Sequence, residues 1–356
     1  MTQQLTDRSP AAPAAPPSAR RRVVAASLGF TALAVLAALA VVGARPDPSK
    51  AVAERGAVSL RPAAAPLQTG PRLVALSTAS GSQGRLVAVS PEAPGAPRAV
   101  SGLSCARFDA AAGTGLCLRL DGNLTTYQMT VVDSALHIKD AIPLVGVPDR
   151  ARVSPSGRLV AWTVFVTGDS YNGGRFSTRA GILDTRTDNL VPTLEDWPVT
   201  VTGRPYHAKD LNFWGVTFAR DDRRFYATMS TAGHRYLVEG DLAERRLRTV
   251  RDGVECPSLS PDGTRIAFKA ARGGDPRHGW GLAVLDLASG RVTPLAEEHS
   301  VDDQAVWLDS RTVAYALPRG RGHADVWRTA ADGTGRPRLL VRDAESPAVL
   351  DTDRQG

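Results

Sequence analysis

The chain has 356 residues, a formal net charge of +7 and 43% apolar residues, which is enough for a large hydrophobic core. The basic residues are mostly arginine, at 39 Arg against 4 Lys, and they form no long run with interleaved aromatics, so no nucleic-acid partner is expected. The arginine bias, with abundant Ala, Gly, Val and Pro, is typical of a GC-rich bacterial genome.

The N-terminal segment predicts a membrane anchor. Residues 23–44 carry no charge, and at roughly 1.5 Å per residue a helix of this length spans about 33 Å, enough to cross a bilayer. Arg20–Arg22 directly precede it, so the positive-inside rule keeps the disordered tail, residues 1–22, in the cytoplasm and puts the rest of the chain outside. The alternative is a signal peptide cleaved near Ala44, which would give a secreted protein.

The next stretch, residues 45–69, is rich in Pro and Ala and predicts an extended linker off the membrane. The three cysteines of the chain follow it. Cys105 and Cys117 are 12 residues apart on neighbouring predicted strands, and an oxidising compartment permits a disulfide between them. Cys256 is left over, and the alternative for all three is that they are small buried hydrophobic residues.

A repeat of roughly 45 residues is the main feature of the remaining chain. In residues 256–270 an apolar strand leads into the turn Ser260-Pro261-Asp262-Gly263, and a second apolar strand follows at once, which predicts a tight hairpin. The same unit recurs, with decreasing similarity, at 151–165, 215–229, 304–317 and 105–120.

A third strand that ends in an acidic turn follows each hairpin, and a short fourth strand closes the unit. Third strands of this kind occupy 180–189, 236–246, 282–291 and 325–336. Four short strands per 40–50 residues are typical of a β-propeller blade. No amphipathic helix is visible between the units, which argues against an α/β fold.

The hairpin with its Ser-Pro-Asp-Gly turn and the third strand Leu282–Arg291 resemble the TolB-type propeller repeat, over about residues 70–350. The resemblance implies an all-β, six-bladed propeller of four-stranded blades at 70–356. The sequence differs from TolB in lacking that protein's separate N-terminal α/β domain, so a transport role does not carry over automatically. Residues 345–350 match 255–260, which predicts that a C-terminal strand at 346–350 closes the ring and leaves no open edge.

The connections of such a propeller alternate between two faces. The turns between strands 1 and 2 and between strands 3 and 4 are short here, whereas the connections on the other face, the loop-rich face, are long and polar. These long connections are 166–178, 195–212, 270–280, 296–304 and 318–325. Long loops on a rigid scaffold are where binding usually resides, so the loop-rich face is the predicted functional surface.

Candidate ligand-binding residues lie in the link that leads into one innermost strand and in the matching link two blades later. They are Tyr206, His207, Lys209, Asp210, Asn212, Trp214, Asp302 and Asp303. The charged and amide groups offer hydrogen-bond donors and acceptors, and the aromatic rings offer flat apolar area. The alternative is structural, with Trp214 packed between blades and Lys209 paired with Asp210.

Enzyme motifs are absent from the sequence, with neither G-x-S-x-G nor H-E-x-x-H nor a phosphate-binding glycine loop. We therefore expect no catalytic residues, no cofactor and no metal, and a monomeric, non-catalytic module that binds a protein, peptide or envelope glycan. One alternative is a lyase or hydrolase with a channel-mouth site of His207, Lys209, Asp210 and Asp302. Another is a sensor or an assembly subunit of an envelope complex.

Overall fold

The computed structural model describes residues 60–62, 72–90, 93–94, 96–123, 126–166 and 177–350. The predicted tail at 1–22 and the predicted transmembrane helix at 23–44 lie outside these residues. Within the described residues, no helix has the length and apolar character needed to cross a bilayer.

The described chain is almost entirely β-strand, with two short 3-10 turns at Arg272–Gly274 and Pro276–His278. The first strands are β1 Leu60–Pro62, β2 Arg72–Ser77, β3 Arg85–Val89, β4 Arg98–Ser104, β5 Arg107–Ala111, β6 Thr114–Leu120, β7 Tyr127–Val132, β8 Ile138–Leu144, β9 Val147–Val153, β10 Leu159–Val166, β11 Ser177–Asp184, β12 Asn189–Val191, β13 Val199–Val201 and β14 Arg204–Tyr206. The remaining strands are β15 Asn212–Phe218, β16 Arg224–Thr231, β17 His234–Asp241, β18 Arg246–Asp252, β19 Glu255–Leu259, β20 Arg265–Ala271, β21 Trp280–Asp286, β22 Val292–Pro294, β23 Val306–Trp307, β24 Thr312–Gly320, β25 His323–Ala330, β26 Arg338–Val341 and β27 Ala344–Leu350.

These strands form six sheets, each with a core of four antiparallel strands, and confirm the predicted six-bladed all-β propeller. Blades 2, 3, 5 and 6 are the plain sheets β5–β8, β9–β12, β19–β22 and β23–β26. Blade 1 consists of β27 and β2–β4, with β1 added in parallel outside β4. Blade 4 consists of β15–β18, with the hairpin β13–β14 added outside β18. The short strand β1 falls within the stretch that was predicted as a linker.

The repeated turn is held by its own side chains. The Ser260 hydroxyl donates to Asp262 at 2.5 Å and accepts from the Arg265 N–H at 2.9 Å. Gly263 has a φ of +73°, which a residue with a side chain rarely adopts. The Ser154–Gly157 turn repeats this arrangement in blade 3. The turn residues therefore fix the hairpin between the first two strands of a blade.

Ring closure brings the two ends of the propeller together. Strand β27 is the innermost strand of blade 1 and pairs antiparallel with β2, with Leu73 opposite Val349. Val74 and Ala348, which also face each other, are completely buried. The closure therefore rests on buried apolar contacts as well as on the backbone ladder.

Deletion of residues 344–356 should lower the free energy of unfolding by several kcal/mol, because blade 1 loses its innermost strand and β2 becomes an exposed edge. Urea unfolding of the full-length and truncated chains measures this difference. Deletion of 351–356 alone is the matched control, since it leaves β27 whole. Equal stability of all three chains would contradict the role given to β27.

The cysteine pair lies at the start of blade 2. Cys105 precedes β5 and Cys117 lies in β6, and the two are joined by a disulfide with a Cα–Cα distance of 5.5 Å. Both residues are buried in the core between blades 1 and 2. Cys256 is a buried free thiol. The crosslink therefore fixes the link that leads into β5.

Peptide mapping of unreduced protein should recover residues 105 and 117 in one crosslinked species and Cys256 as a free thiol, because only the first two lie within disulfide reach. Mass spectrometry of the protein, alkylated before digestion and without reduction, makes the measurement. Alkylation at both 105 and 117 would show that they are reduced.

Candidate functional site

The innermost strands of the six blades surround a central channel. Toward the short-turn face this channel narrows to a cavity of about 100 Å³. Every blade contributes to its wall, and representative residues are Asp109, Arg152, Thr217, Ser258, Trp307 and Val349.

The channel opens on the loop-rich face into a larger cavity of about 430 Å³, here called the channel-mouth cavity. Its wall is unusually rich in charge. The cations are Arg107, Arg150, Arg235 and Lys269, and the acids are Asp149, Glu255 and Asp302. Aromatic rings and one thiol complete most of the wall, namely Phe165, Trp214, Trp280 and Cys256. A pocket of this size with convergent charged groups is the default candidate for a binding site.

Bulges in three innermost strands shape this end of the channel. Gly215, Cys256 and Ser346 all have positive φ, of +65°, +47° and +47°, and the pairing register of each strand shifts there. Such bulges re-aim neighbouring side chains. A Cβ atom on Gly215 would lie 2.9 Å from the Cα of Cys256, so glycine allows blades 4 and 5 to meet closely. The side chains before two of these bulges, Trp214 and Glu255, line the channel-mouth cavity.

Lys269 is the central cation of the cavity. Its side chain is only 4% exposed, and its ammonium group lies 2.5 Å from Asp302 and 3.5 Å from Glu255. The same group lies 4.9 Å from the ring centre of Trp280, a cation–π contact. Burial alone would lower the pKa of Lys269, but nearby acidic groups, including Asp302 and Glu255, raise it, so the lysine stays charged.

Two arginines lie beside this lysine. Arg150 is buried and pairs with Asp149 at 2.6 Å and with Asp302 at 3.9 Å. Its Nε has no hydrogen-bond partner among the described residues. Arg107 donates from its Nε to the backbone carbonyl of Asp149 at 2.7 Å. Partial desolvation at the cavity would raise the pKa of Asp302, but the charges of Lys269, Arg150 and Arg107 lower it, so this largely exposed carboxylate is ionised.

Only two of the predicted ligand-binding residues line the channel-mouth cavity, Trp214 and Asp302. Tyr206 and Asp210 instead hold their link to the turn between β16 and β17. The Tyr206 hydroxyl lies 2.9 Å from that of Thr231, and Asp210 accepts from Thr231 and from the Ala232 N–H, each at 2.7 Å.

The other predicted residues have structural partners or are exposed. Asn212 accepts from the Thr178 N–H at 2.8 Å, and Asp303 accepts from the N–H groups of Gln304 and Ala316, each at 2.9 Å. The remaining two are exposed, His207 and Lys209. The predicted pair of Lys209 with Asp210 is not among the contacts of Asp210. A ligand-binding role for all these residues stays a prediction.

The cations of the cavity were not singled out from the sequence. Arg107 and Arg150 stand near the starts of innermost strands, where any polar residue fits the repeat. Lys269 could have been identified from the sequence, because it interrupts the apolar strand β20 in a chain with only 4 Lys. A buried lysine needs a charged partner, so its position predicts acids nearby.

Comparison with solved structures finds the same fold. TolB from Acinetobacter baumannii aligns with a TM-score of 0.54 and 16% identity, over 78% of this chain and 66% of that protein. A nidogen/laminin complex aligns with a TM-score of 0.52 and 11% identity, over 79% of this chain and 98% of that one. A putative TolB from Agrobacterium tumefaciens aligns with a TM-score of 0.47 and 11% identity, over 78% of this chain and 91% of that one.

The fold is therefore that of a TolB-like six-bladed propeller, as the repeat predicts. The chain spans just under two thirds of the length of the Acinetobacter protein. Comparisons with protein-family models and with curated proteins find no match. At these identities the likeness extends to the fold and not to a ligand.

Burial raises the pKa of Glu195 to about 7. Glu195 lies in the link before β13, and it accepts from the N–H of Phe213 at 3.2 Å, next to Trp214. Folding therefore favours the protonated form of Glu195, whose carboxyl group has an ordinary pKa near 4.5. The contribution of Glu195 to the free energy of unfolding is fully present below pH 4.5 and is lost as the pH rises through about 7.

Replacement of Glu195 by Gln should remove this part of the pH dependence, because the amide cannot ionise. At pH 8 the variant should be more stable by on the order of 2 kcal/mol. Urea unfolding at pH 5 and pH 8 measures the effect, and the exposed Glu298→Gln serves as the control. An unchanged pH dependence in Glu195→Gln would show that another group titrates.

Proposed function

We propose that the protein is a non-catalytic binding module that recognises a protein, peptide or envelope glycan through the channel-mouth cavity on its loop-rich face. The observation that carries this proposal is the convergence of four cations and three carboxylates on one cavity of about 430 Å³. Charged groups that are fixed before binding select a complementary ligand without having to be ordered first.

The pairing of the charged groups supports binding over catalysis. Lys269 and Arg150 stay in ion pairs, and an acid–base catalyst needs a group whose pKa lies near the working pH. The alternative enzyme site would combine His207, Lys209, Asp210 and Asp302. The two acids of this alternative site are bound to separate partners. Asp302 pairs with Lys269, and Asp210 accepts hydrogen bonds from Thr231 and from the turn after β16.

We also propose that the propeller works outside the cytoplasm, tethered by residues 23–44. The support is the uncharged segment, the preceding Arg20–Arg22 and the Cys105–Cys117 disulfide, which suits an oxidising compartment. A binding module held at the membrane would capture its partner at the cell envelope. A sensor or assembly role would then depend on that partner.

The proposal is tested by affinity capture from a detergent extract of the source cells, with the full-length protein as bait. Arg107→Ala should weaken capture of the partner by about 1–3 kcal/mol if Arg107 is an anchor, because a few residues dominate most interfaces. Titration of the captured partner against each immobilised variant measures the loss. Thermal melting of each variant excludes unfolding as its cause.

One control variant and one further test variant accompany Arg107→Ala. Arg291→Ala removes one exposed arginine from a short turn on the opposite face and should not change capture. The double variant His207→Ala with Lys209→Ala tests the exposed link on the loop-rich face. Capture that depends on Arg291 and not on Arg107 would show that the opposite face is the binding face.

A further inference from the structure

Asp302 has an unusual combination of exposure and pairing. It lies in the link between β22 and β23, and its side chain is 76% exposed. Its partner Lys269, at 2.5 Å, is 4% exposed, and Arg150, at 3.9 Å, is 10% exposed. The walls of the cavity thus provide buried cations, and the anion that meets them comes from a solvent-facing link.

Arg107 is a third cation directed at the same region. Its guanidinium donates to the backbone carbonyls of Asp149 and Ala106, and it forms no ion pair within the described part of the chain. Burial raises the pKa of Glu345, and the positive charge of nearby Arg107 partly opposes this rise. The Arg107 guanidinium, which lines the cavity, therefore has donor groups left for a further anion.

The other two acids of the cavity are buried and lie on strands of the blades. The side chains of Asp149 and Glu255 are 9% and 7% exposed, and both lie on innermost strands. Each also has its own partner, Arg150 for Asp149 and Arg235 for Glu255. Asp302 alone among the three acids of the lining is both on a link and open to solvent.

A second cavity continues outward from the channel mouth between blades 4 and 5. This radial groove has a volume of about 570 Å³ and shares Arg235, Glu255 and Trp280 with the channel-mouth cavity. Three glycines in its wall leave the groove open, because no atom lies within 4 Å of the place where each would carry a Cβ atom. They are Gly233, Gly253 and Gly274. The two cavities together suit a ligand that is extended and has its charged end at the channel.

The aromatic rings favour a peptide over a sugar. Lys269 and Arg235 both lie over the Trp280 ring, at 4.9 Å and 5.6 Å from its centre, and Trp214 is 9% exposed. A sugar is usually held on an open aromatic face, and these faces are engaged by cations or buried. Cationic donors, by contrast, match the planar carboxylate of a peptide terminus.

We propose that the channel-mouth cavity binds the C-terminal carboxylate of an extended partner segment against Arg107, Arg150 and Lys269, and that Asp302 occupies this carboxylate position in the free protein. The inference rests on the proposed function and names its ligand class. Asp302 is then an internal competitor of the ligand, and its removal should strengthen binding.

The test uses the full-length protein in detergent and a synthetic array of random octapeptides, made once with free C-termini and once as C-terminal amides. Binding should occur to free-acid peptides, and the matching amides should bind at least about tenfold more weakly. The affinities of the best peptides are then measured by fluorescence anisotropy for the wild type and the variants. Oligogalacturonate serves as the acidic-glycan probe.

Asp302→Asn should tighten binding of the free-acid peptides by about tenfold, because the cations lose their internal anion. Glu298→Gln, which removes one exposed charge from the same link, should leave the affinity unchanged. Arg107→Gln, which breaks no ion pair, should weaken binding by about tenfold and tests the cations even if the Asp302 variant fails to fold.

Several results would overturn the proposal. Equal binding of acids and amides would exclude the terminal carboxylate, and weaker binding by a folded Asp302→Asn would make Asp302 a ligand contact. Binding of the glycan without the peptides would assign the site to an acidic sugar. If no peptide binds while partner capture still depends on Arg107, this inference fails and the proposed function stands.

Discussion

The antiparallel pairing of β27 with β2 is the interaction on which the rest of the structure depends. It makes the innermost strand of blade 1 and completes the wall of the central channel, to which Val349 contributes. A closed ring fixes the innermost strands relative to one another, and four of the channel-mouth charges, Arg107, Asp149, Arg150 and Glu255, lie on these strands. Buried ions are tolerated only when their partners are held in good geometry. Closure of the ring therefore makes the charged cavity possible.

The sequence predicts the blades because each one repeats the same local chemistry. The turn at Ser260–Gly263 marks the first hairpin, and the match between 345–350 and 255–260 arises because both segments are innermost strands with a bulge. The additions outside the blades have no such signal. Strands β1, β13 and β14 are three residues each and lie in polar or Pro-rich segments, so no alternating pattern marks them.

The site was predictable only in part. The long connections point to the face on which Trp214 and Asp302 line the cavity. The residues around them come from blades that are far apart in sequence, and their meeting depends on the bulges and on ring closure. A repeat pattern tells which residues face the core but not which strand ends meet. Tyr206 and Asp210 belong to the polar cluster that is most conspicuous in the sequence. In the structure they hold a link in place by hydrogen bonds to Thr231.

The same ring closure has a consequence for the order of events during biosynthesis. Arg72 faces Leu350 in the finished ring, so synthesis must reach residue 350 before blade 1 can acquire its innermost strand. Until then β2 has a free edge, and contacts between residues so distant in sequence form slowly. During this interval the unpaired edge invites association with other chains. Blade 1 is thus the last blade of the ring to be completed, and the edge of β2 waits for its partner through the synthesis of all the others.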